Sequence, residues 1–322
     1  MKPELIEVVS NRTNPGIDPV VHVWGWEVPV YLFLGGLAAG IMVVLSAMEL
    51  RSGERPTSRG TRWAPLAAVA LVSLGMGALF LDLAHKLHVW RFYTTFQPTS
   101  PMSWGAWILM LVYPVLLLQG LSNLNGRERT WLSERLGPLG GLVGRVSAWA
   151  DEQRRPVLWT TAATGVGLGI YTGLLLGTLS ARFQWNSAVM GPLFLASGVS
   201  TGAALLLLLR PDAKEHAVLV RWDTAAIAIE LVLLAVMILG FLTGDQADLV
   251  AANQLLGGAF TPYFWGLVVL TGLAAPLAMN LAEFKRRMPA TALGPVLVLI
   301  GGFSLRTILV AAGQVTGYGL LP

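Results

Sequence analysis

The stretch VPVYLFLGGLAAGIMVVLSAMEL, residues 28–50, carries no charged side chain before Glu49. A helix of that length rises roughly 30 Å, the thickness of a bilayer's hydrocarbon core. Strands of a membrane barrel would alternate apolar and polar residues over ~10-residue segments, so this run predicts a transmembrane helix and excludes a barrel. The pattern recurs outward from it. Apolar runs between charged loops predict spans near 28–50, 64–83, 104–123, 157–179, 189–209, 224–243, 264–282 and 293–316. The expected fold is therefore all-α and integral to the membrane, with eight transmembrane helices. Composition agrees: 54% of the 322 residues are hydrophobic, 12% are charged, and the mean hydropathy is +0.63. Water could not hold such a chain as a folded monomer.

Basic residues set the expected orientation. Alternate loops hold Arg51, Arg55, Arg59 and Arg62; then Arg127, Arg129, Arg135, Arg145, Arg154 and Arg155; then Arg210, Lys214 and Arg221; then Lys285, Arg286 and Arg287. By the positive-inside rule these loops face the cytoplasm. Lys2, Arg12, Lys86, Arg91 and Arg182 fall on the opposite side, so both termini are expected outside. Residues 1–25 lack the basic start and apolar stretch of a signal peptide, and the first span is read as a retained anchor. The net charge of +4 is thus a topology signal rather than a nucleic-acid footprint. The absence of cysteine excludes disulfides, thiolate chemistry and an iron–sulfur cluster ligated by cysteines of this chain.

An internal repeat emerges at an offset of about 162 residues. Gly36-Leu-Ala-Ala-Gly40 matches Gly198-Val-Ser-Thr-Gly202, and Ser100-Pro-Met-Ser-Trp-Gly105 matches Thr261-Pro-Tyr-Phe-Trp-Gly266. Two four-helix bundles follow. Four spans is an even number, so the copies run the same way through the membrane as a parallel repeat. Residues 1–123 supply three helices of the first bundle and 157–188 its fourth. The basic segment 124–156 is a cytoplasmic linker with some surface helix, and 189–322 form the second bundle. The Gly-x-x-x-Gly faces read first as close helix packing.

Ionisable groups inside a bilayer are expensive and mark candidate functional positions. Most cluster at the outer side of the first half: His22, Trp24, Trp26, Glu27 and Tyr31, then Asp82, His85, Lys86, His88, Trp90 and Arg91. The matching place in the second half has no histidine and no base. Trp90, Trp104 and Trp107 also fit an interfacial aromatic belt. Asp82 and His85, three apart, read either as a local ion pair or cap, or as a pair that handles protons beside a quinone. Tyr171 could offer a further hydroxyl or simply pack. Arg306 lies well inside the last span and needs an internal partner, with Glu230 or Glu27 as candidates. That grouping reads as a buried structural pair or as a proton route. No good ligand pair for a b-type haem is found: His85 and His88 share one helix, His216 lies in a loop, and only His22 with His85 remains. No phosphate-binding loop, nucleophile elbow or dinucleotide fingerprint occurs.

Five segments, taken in order, resemble the NrfD-like membrane subunits of polysulfide reductase and related respiratory molybdoenzyme complexes. They are Trp24-Gly-Trp-Glu-Val-Pro-Val-Tyr31-Leu-Phe-Leu-Gly-Gly-Leu-Ala-Ala-Gly40, Leu81-Asp-Leu-Ala-His85, Ser100-Pro-Met-Ser-Trp104, Ile170-Tyr-Thr-Gly173 and Leu305-Arg-Thr-Ile-Leu-Val-Ala-Ala-Gly-Gln314. The resemblance implies a multi-pass subunit of a bacterial or archaeal cytoplasmic membrane, with no haem and no iron–sulfur cluster of its own. It implies a site for menaquinone or ubiquinone near the outer face, beside a ferredoxin-like iron–sulfur subunit, with a molybdopterin-type catalytic subunit beyond. It suggests His22 and Tyr171 as quinone contacts and Asp82 and Arg306 as proton-linked positions; Glu27 and His85 are added from their location. Where the family often has Gly-His-Pro after the second span's acid, this chain has Ala84-His85-Lys86. The rival reading is a secondary transporter or ion pathway, whose substrate site would lie at the midplane between repeats.

Overall fold

A computed structural model describes residues 24–83, 85–179, 182–285 and 289–316, and these are predominantly helical, with no strand among them. The long elements in chain order are α1 (Glu27–Ser52), α2 (Arg59–Asp82), α3 (Pro101–Asn123), α4 (Gly126–Arg135), α5 (Gly140–Glu152), α6 (Arg154–Gly177), α7 (Met190–Leu208), α8 (Ala213–Thr243), α9 (Gln246–Leu256), α10 (Thr261–Phe284) and α11 (Leu293–Val315). Seven of them, α1, α2, α3, α7, α8, α10 and α11, are long and apolar enough to cross a membrane. The remaining expected span, 157–179, falls on α6, which has the length. Its four threonines and five glycines make it less apolar than the others.

Helix ends follow local chemistry. Ser58 accepts from the Thr61 amide to start α2, and Gly53, at φ 70°, closes α1 with its N–H on the Glu49 carbonyl. Two features depart from the sequence expectation. The helix of the sixth span is longer than its apolar core, beginning at Ala213 under an Asp212 cap. The connection after it forms α9, started by a capping box in which Asp245 and Asp248 satisfy each other's backbone amides.

α1 is central and packs on α2, α6, α7 and α11. In the first half α1, α2, α3 and α6 enclose one another; in the second α7 lies between α8 and α11, and α10 packs along α11. α1 and α7 cross through the two Gly-x-x-x-Gly motifs that the repeat aligns. A Cβ on Gly202 would sit 2.6 Å from the Ile41 amide nitrogen and 2.7 Å from Gly40 Cα, so only glycine permits this approach. Gly272 of α10 and Gly301 of α11 meet the same way.

The basic segment is docked rather than loose. Arg62 makes a two-pronged contact with Glu128 at 3.0 and 3.1 Å, and Arg129 pairs with Asp151 at 2.7 Å. Arg154 reaches the buried Glu49 at 2.6 Å, and Gln119 and Asn123 complete that carboxylate's shell.

Candidate ligand pocket

At the end of the first half where α1 begins and α2 finishes, a cavity of about 250 Å³ opens between α1, α2, α3 and α6. Its wall is mainly aliphatic. Val28, Tyr31 and Leu32 line it because spacings of three and four residues place them on one face of α1. Met76 and Leu79 from α2, Leu109 from α3 and Leu176 from α6 close the sides. Thr178 also lines it with its hydroxyl given to the Leu175 carbonyl, and the remaining polar side chains are three tyrosines, Tyr31, Tyr93 in the α2–α3 connection and Tyr171 on α6, with Asp82 at the last residue of α2. Tyr31 and Tyr171 are 4% and 6% exposed. Among the described residues no hydrogen bond reaches any of these three hydroxyls. Three tyrosine hydroxyls left free around one apolar cavity suit a ligand with acceptor oxygens.

Two devices hold this geometry. A Cβ on Gly105 of α3 would fall inside the Tyr171 ring, so that glycine is the seat of the tyrosine. Trp24 borders the cavity and is clamped from the second half: Gln314 accepts from its amide at 2.9 Å and donates to its carbonyl at 3.0 Å. Its ring stacks on Trp185 at 5.0 Å, and Trp185 Nε1 donates to the Leu309 carbonyl at 2.7 Å. Tyr171 and Thr178 also line a second, open groove of about 690 Å³ along α3, α6 and Ser187. Trp104 and Leu174 on that flank are half exposed. Tyr171 and Thr178 thus stand between the cavity and an apolar groove on the outside of the helix pair.

The residues singled out in the sequence are distributed unevenly around this cavity. Asp82 and Tyr171 line it. Glu27 stands beside it in the first turn of α1, near enough for its charge to act on Asp82. His85 is exposed and does not line it. The helical relation of Asp82 to His85 is lost, because α2 ends at Asp82 and Leu83 turns extended at φ −65°, ψ 126°. Asp82 and His85 form no ion pair, and the rings of His85 and His88 lie edge to face at 6.3 Å. His22 lies outside the described residues.

Arg306 is elsewhere, fully buried where α1, α7 and α11 meet. Its Nε donates to the Leu32 carbonyl at 3.1 Å, and Nη1 donates to Ser197 Oγ at 3.1 Å and the Gly302 carbonyl at 2.8 Å. Phe33 and Phe194 flank the guanidinium. Among the described ion pairs it has none: Ser197 accepts from Arg306, while Glu230 accepts from Ser200, three residues further along α7. Tyr31 belongs in the site although the sequence assigns it no quinone contact, and no pattern in the sequence singles out Tyr93. Spacing on α1 could have found the first; nothing in an irregular loop announces the second. Among the described residues no group of three His, Asp or Glu side chains is placed to hold a metal ion.

A family model described as Polysulphide reductase, NrfD matches residues 13–317. The chain belongs to the NrfD family. It is 30% identical over 305 residues to one of the chains of polysulfide reductase from Wolinella succinogenes, a match that spans 91% of the sequence and 94% of that relative. It is 29% identical to protein NrfD of Escherichia coli, spanning 91% and 96%. It is 25% identical to one of the subunits of selenate reductase from Mesobacillus selenatarsenatis, spanning 91% and 74%. With seven membrane-length helices and this membership, it is a multi-pass membrane protein.

Proposed function

We propose that this NrfD-family protein is the membrane subunit of a multi-subunit oxidoreductase complex and that its first-half cavity holds a quinone headgroup. The relatives named as parts of polysulfide reductase and selenate reductase support the first statement. The observation that carries the second is Tyr171, shared between the cavity and a more open apolar groove. At about 250 Å³ the cavity is near the small end of ligand pockets, roughly 300–1,000 Å³, enough for a flat headgroup while the groove takes an isoprenoid tail.

The quinone couple supplies two electrons and two protons of exchange capacity. The protein's own residues bind and position. Tyr171, with Tyr31 and Tyr93 close by, donates to headgroup oxygens; His22 adds a contact on the strength of the family resemblance. Asp82, at the open end of α2 beside Glu27, passes protons between the headgroup and water. The apolar walls keep water away from the headgroup. Electrons leave or arrive at this end of the bundle, where an iron–sulfur partner must dock within reach, with a molybdopterin-type subunit beyond it. In this reading α6 is also a span, the fourth of eight in chain order, the halves are two four-helix bundles repeated in parallel, and the pocket end faces outward. A transporter would hold its substrate between the halves; this cavity lies within one of them.

The test is quinol-dependent reduction in the assembled complex. Tyr171→Phe removes one hydroxyl, a loss of about 1–3 kcal/mol, which is roughly 5- to 150-fold in apparent affinity. Dye-driven activity of the catalytic subunit should stay at the wild-type level. Unchanged quinol kinetics in Tyr171→Phe would take the headgroup out of this cavity.

A further inference from the structure

At the end of the bundle where α2 and α6 begin, Arg55, Arg62, Arg129 and Arg154 engage carboxylates and hold neighbouring segments together. Arg59, Arg135, Arg145 and Arg155 do not. These four are exposed, and among the described residues none of them makes an ion pair. Each stands one helical turn from a tryptophan: Arg59 and Trp63 on α2, Trp131 and Arg135 on α4, Arg145 and Trp149 on α5, Arg155 and Trp159 on α6. The Arg135 guanidinium lies 5.7 Å from the centre of the Trp131 ring, and Trp63 meets Trp131 edge to face at 6.0 Å. Trp131, Trp149 and Trp159 are at least half exposed.

α2 and α6 run from this end into the bundle. On both, the arginine precedes the tryptophan, so the charge stands nearer water and the indole about 6 Å deeper. A bilayer surface presents its own groups in that order, phosphates outside and beneath them the acyl boundary where tryptophan rings settle. The α4–α5 hairpin is kept at the same level. It joins α3 through Leu124 and Asn125 and α6 through Gln153, and Ser147 Oγ on α5 donates to the Leu121 carbonyl at 3.1 Å. Next to that buried face, Leu142, Val146 and Trp149 follow at spacings of four and three and form an apolar stripe that the bundle does not cover. Arg145 flanks the stripe, and its one hydrogen bond, at 3.4 Å, goes to the Gly141 carbonyl of its own helix. The exposed acids of 124–156 are Glu134 and Glu152, which the unpaired arginines outnumber.

We propose that these four arginine–tryptophan pairs form a belt that binds phospholipids with anionic headgroups. A guanidinium offers two parallel N–H donors to phosphate oxygens, and it is free to do so here because no carboxylate holds it. The indoles and the stripe on α5 lie against the upper acyl chains. A zwitterionic lipid carries the same phosphate with a compensating ammonium, so net negative lipids are preferred. The occupant is lipid because the pairs stand where α2, a helix of membrane length, enters the bilayer. Bound lipid then fastens the hairpin from outside, as Glu128 and Asp151 fasten it from within. The proposal is independent of what the ligand cavity holds.

The test is native mass spectrometry of the intact complex released from nanodiscs of equal phosphatidylglycerol and phosphatidylcholine. The wild type should retain phosphatidylglycerol in preference. In a variant combining Arg59→Gln, Arg135→Gln, Arg145→Gln and Arg155→Gln, that preference should fall by an order of magnitude or more, since each arginine near a charged surface is worth roughly five-fold. Lys214 and Lys285 are exposed at the same end of the second half, and Lys214→Gln with Lys285→Gln should leave the preference as it was. A second measurement needs no variant: in the wild type the preference should fade as salt is raised before release, because exposed charges are screened. Equal retention of the two lipids by the wild type, a preference that ignores salt, or an equal loss in the lysine variant would each overturn the belt.

Discussion

Gly105 and Tyr171 are a single feature seen from two helices. Any side chain at 105 must push the tyrosine ring aside, an overpacking penalty of about 1–3 kcal/mol. Gly105→Ala is expected to lower the thermal midpoint in detergent and to reproduce the quinol defect of Tyr171→Phe. Adding Tyr171→Ala should restore much of the lost stability, since the clash has one partner; an additive loss would refute the coupling. At this scale the sequence is informative where chemistry is regular. Tyr171 and Asp82 stand out because a known family pattern and a helix end mark them. The geometry of Asp82 and His85 is not legible, because a spacing of three means one face only while the helix lasts, and α2 stops at Asp82. The burial of Arg306 is legible from its place in an apolar run, but its partners are backbone carbonyls and a serine, contacts that no residue-type search anticipates.

Helix approach is decided by glycine, and the structure separates glycines that matter from those that do not. Gly202→Ala sets a methyl against the backbone of α1, which cannot swing away as a side chain can. The helices must part, so this variant is expected to unfold at a lower temperature and assemble poorly. Gly77→Ala, with nothing within 4 Å of its new carbon, should be neutral or slightly stabilising, as helix propensity favours alanine by up to about 1 kcal/mol. Equal effects at the two positions would deny the crossing of α1 and α7. The pairing of the two Gly-x-x-x-Gly motifs is visible in the sequence as a repeat, yet that they touch each other is not. Helix positions follow from hydropathy. α9 escapes it because eleven residues are too few and too polar to register, although the Asp245 and Asp248 capping box is there to be read.

The whole molecule is held at one end by arginine–carboxylate contacts that fasten α4 and α5 to the bundle. Burial works to raise the Glu128 carboxyl, but hydrogen bonds from Arg62, the Asn125 amide and Trp63 outweigh it and hold the group below its ordinary range. A depressed carboxyl contributes stability that is present above its unfolded pKa and lost as pH falls through the folded one. Pepsin should therefore cut the 124–156 segment faster once pH drops below the usual carboxylate range. In Glu128→Gln the segment should be cut readily at all acid pH values; cleavage in the wild type that ignores pH would remove this contact from the docking. At the opposite end lies the cavity on which the functional account depends. The most direct measurement is photoaffinity labelling of the intact complex with an azidoquinone, with peptides mapped by mass spectrometry and excess quinol as competitor. The account predicts competed labels around Val28–Leu32, Gly105–Leu109 and Tyr171–Leu176; labels confined to α8, α10 and α11, or labels that quinol does not displace, would contradict it.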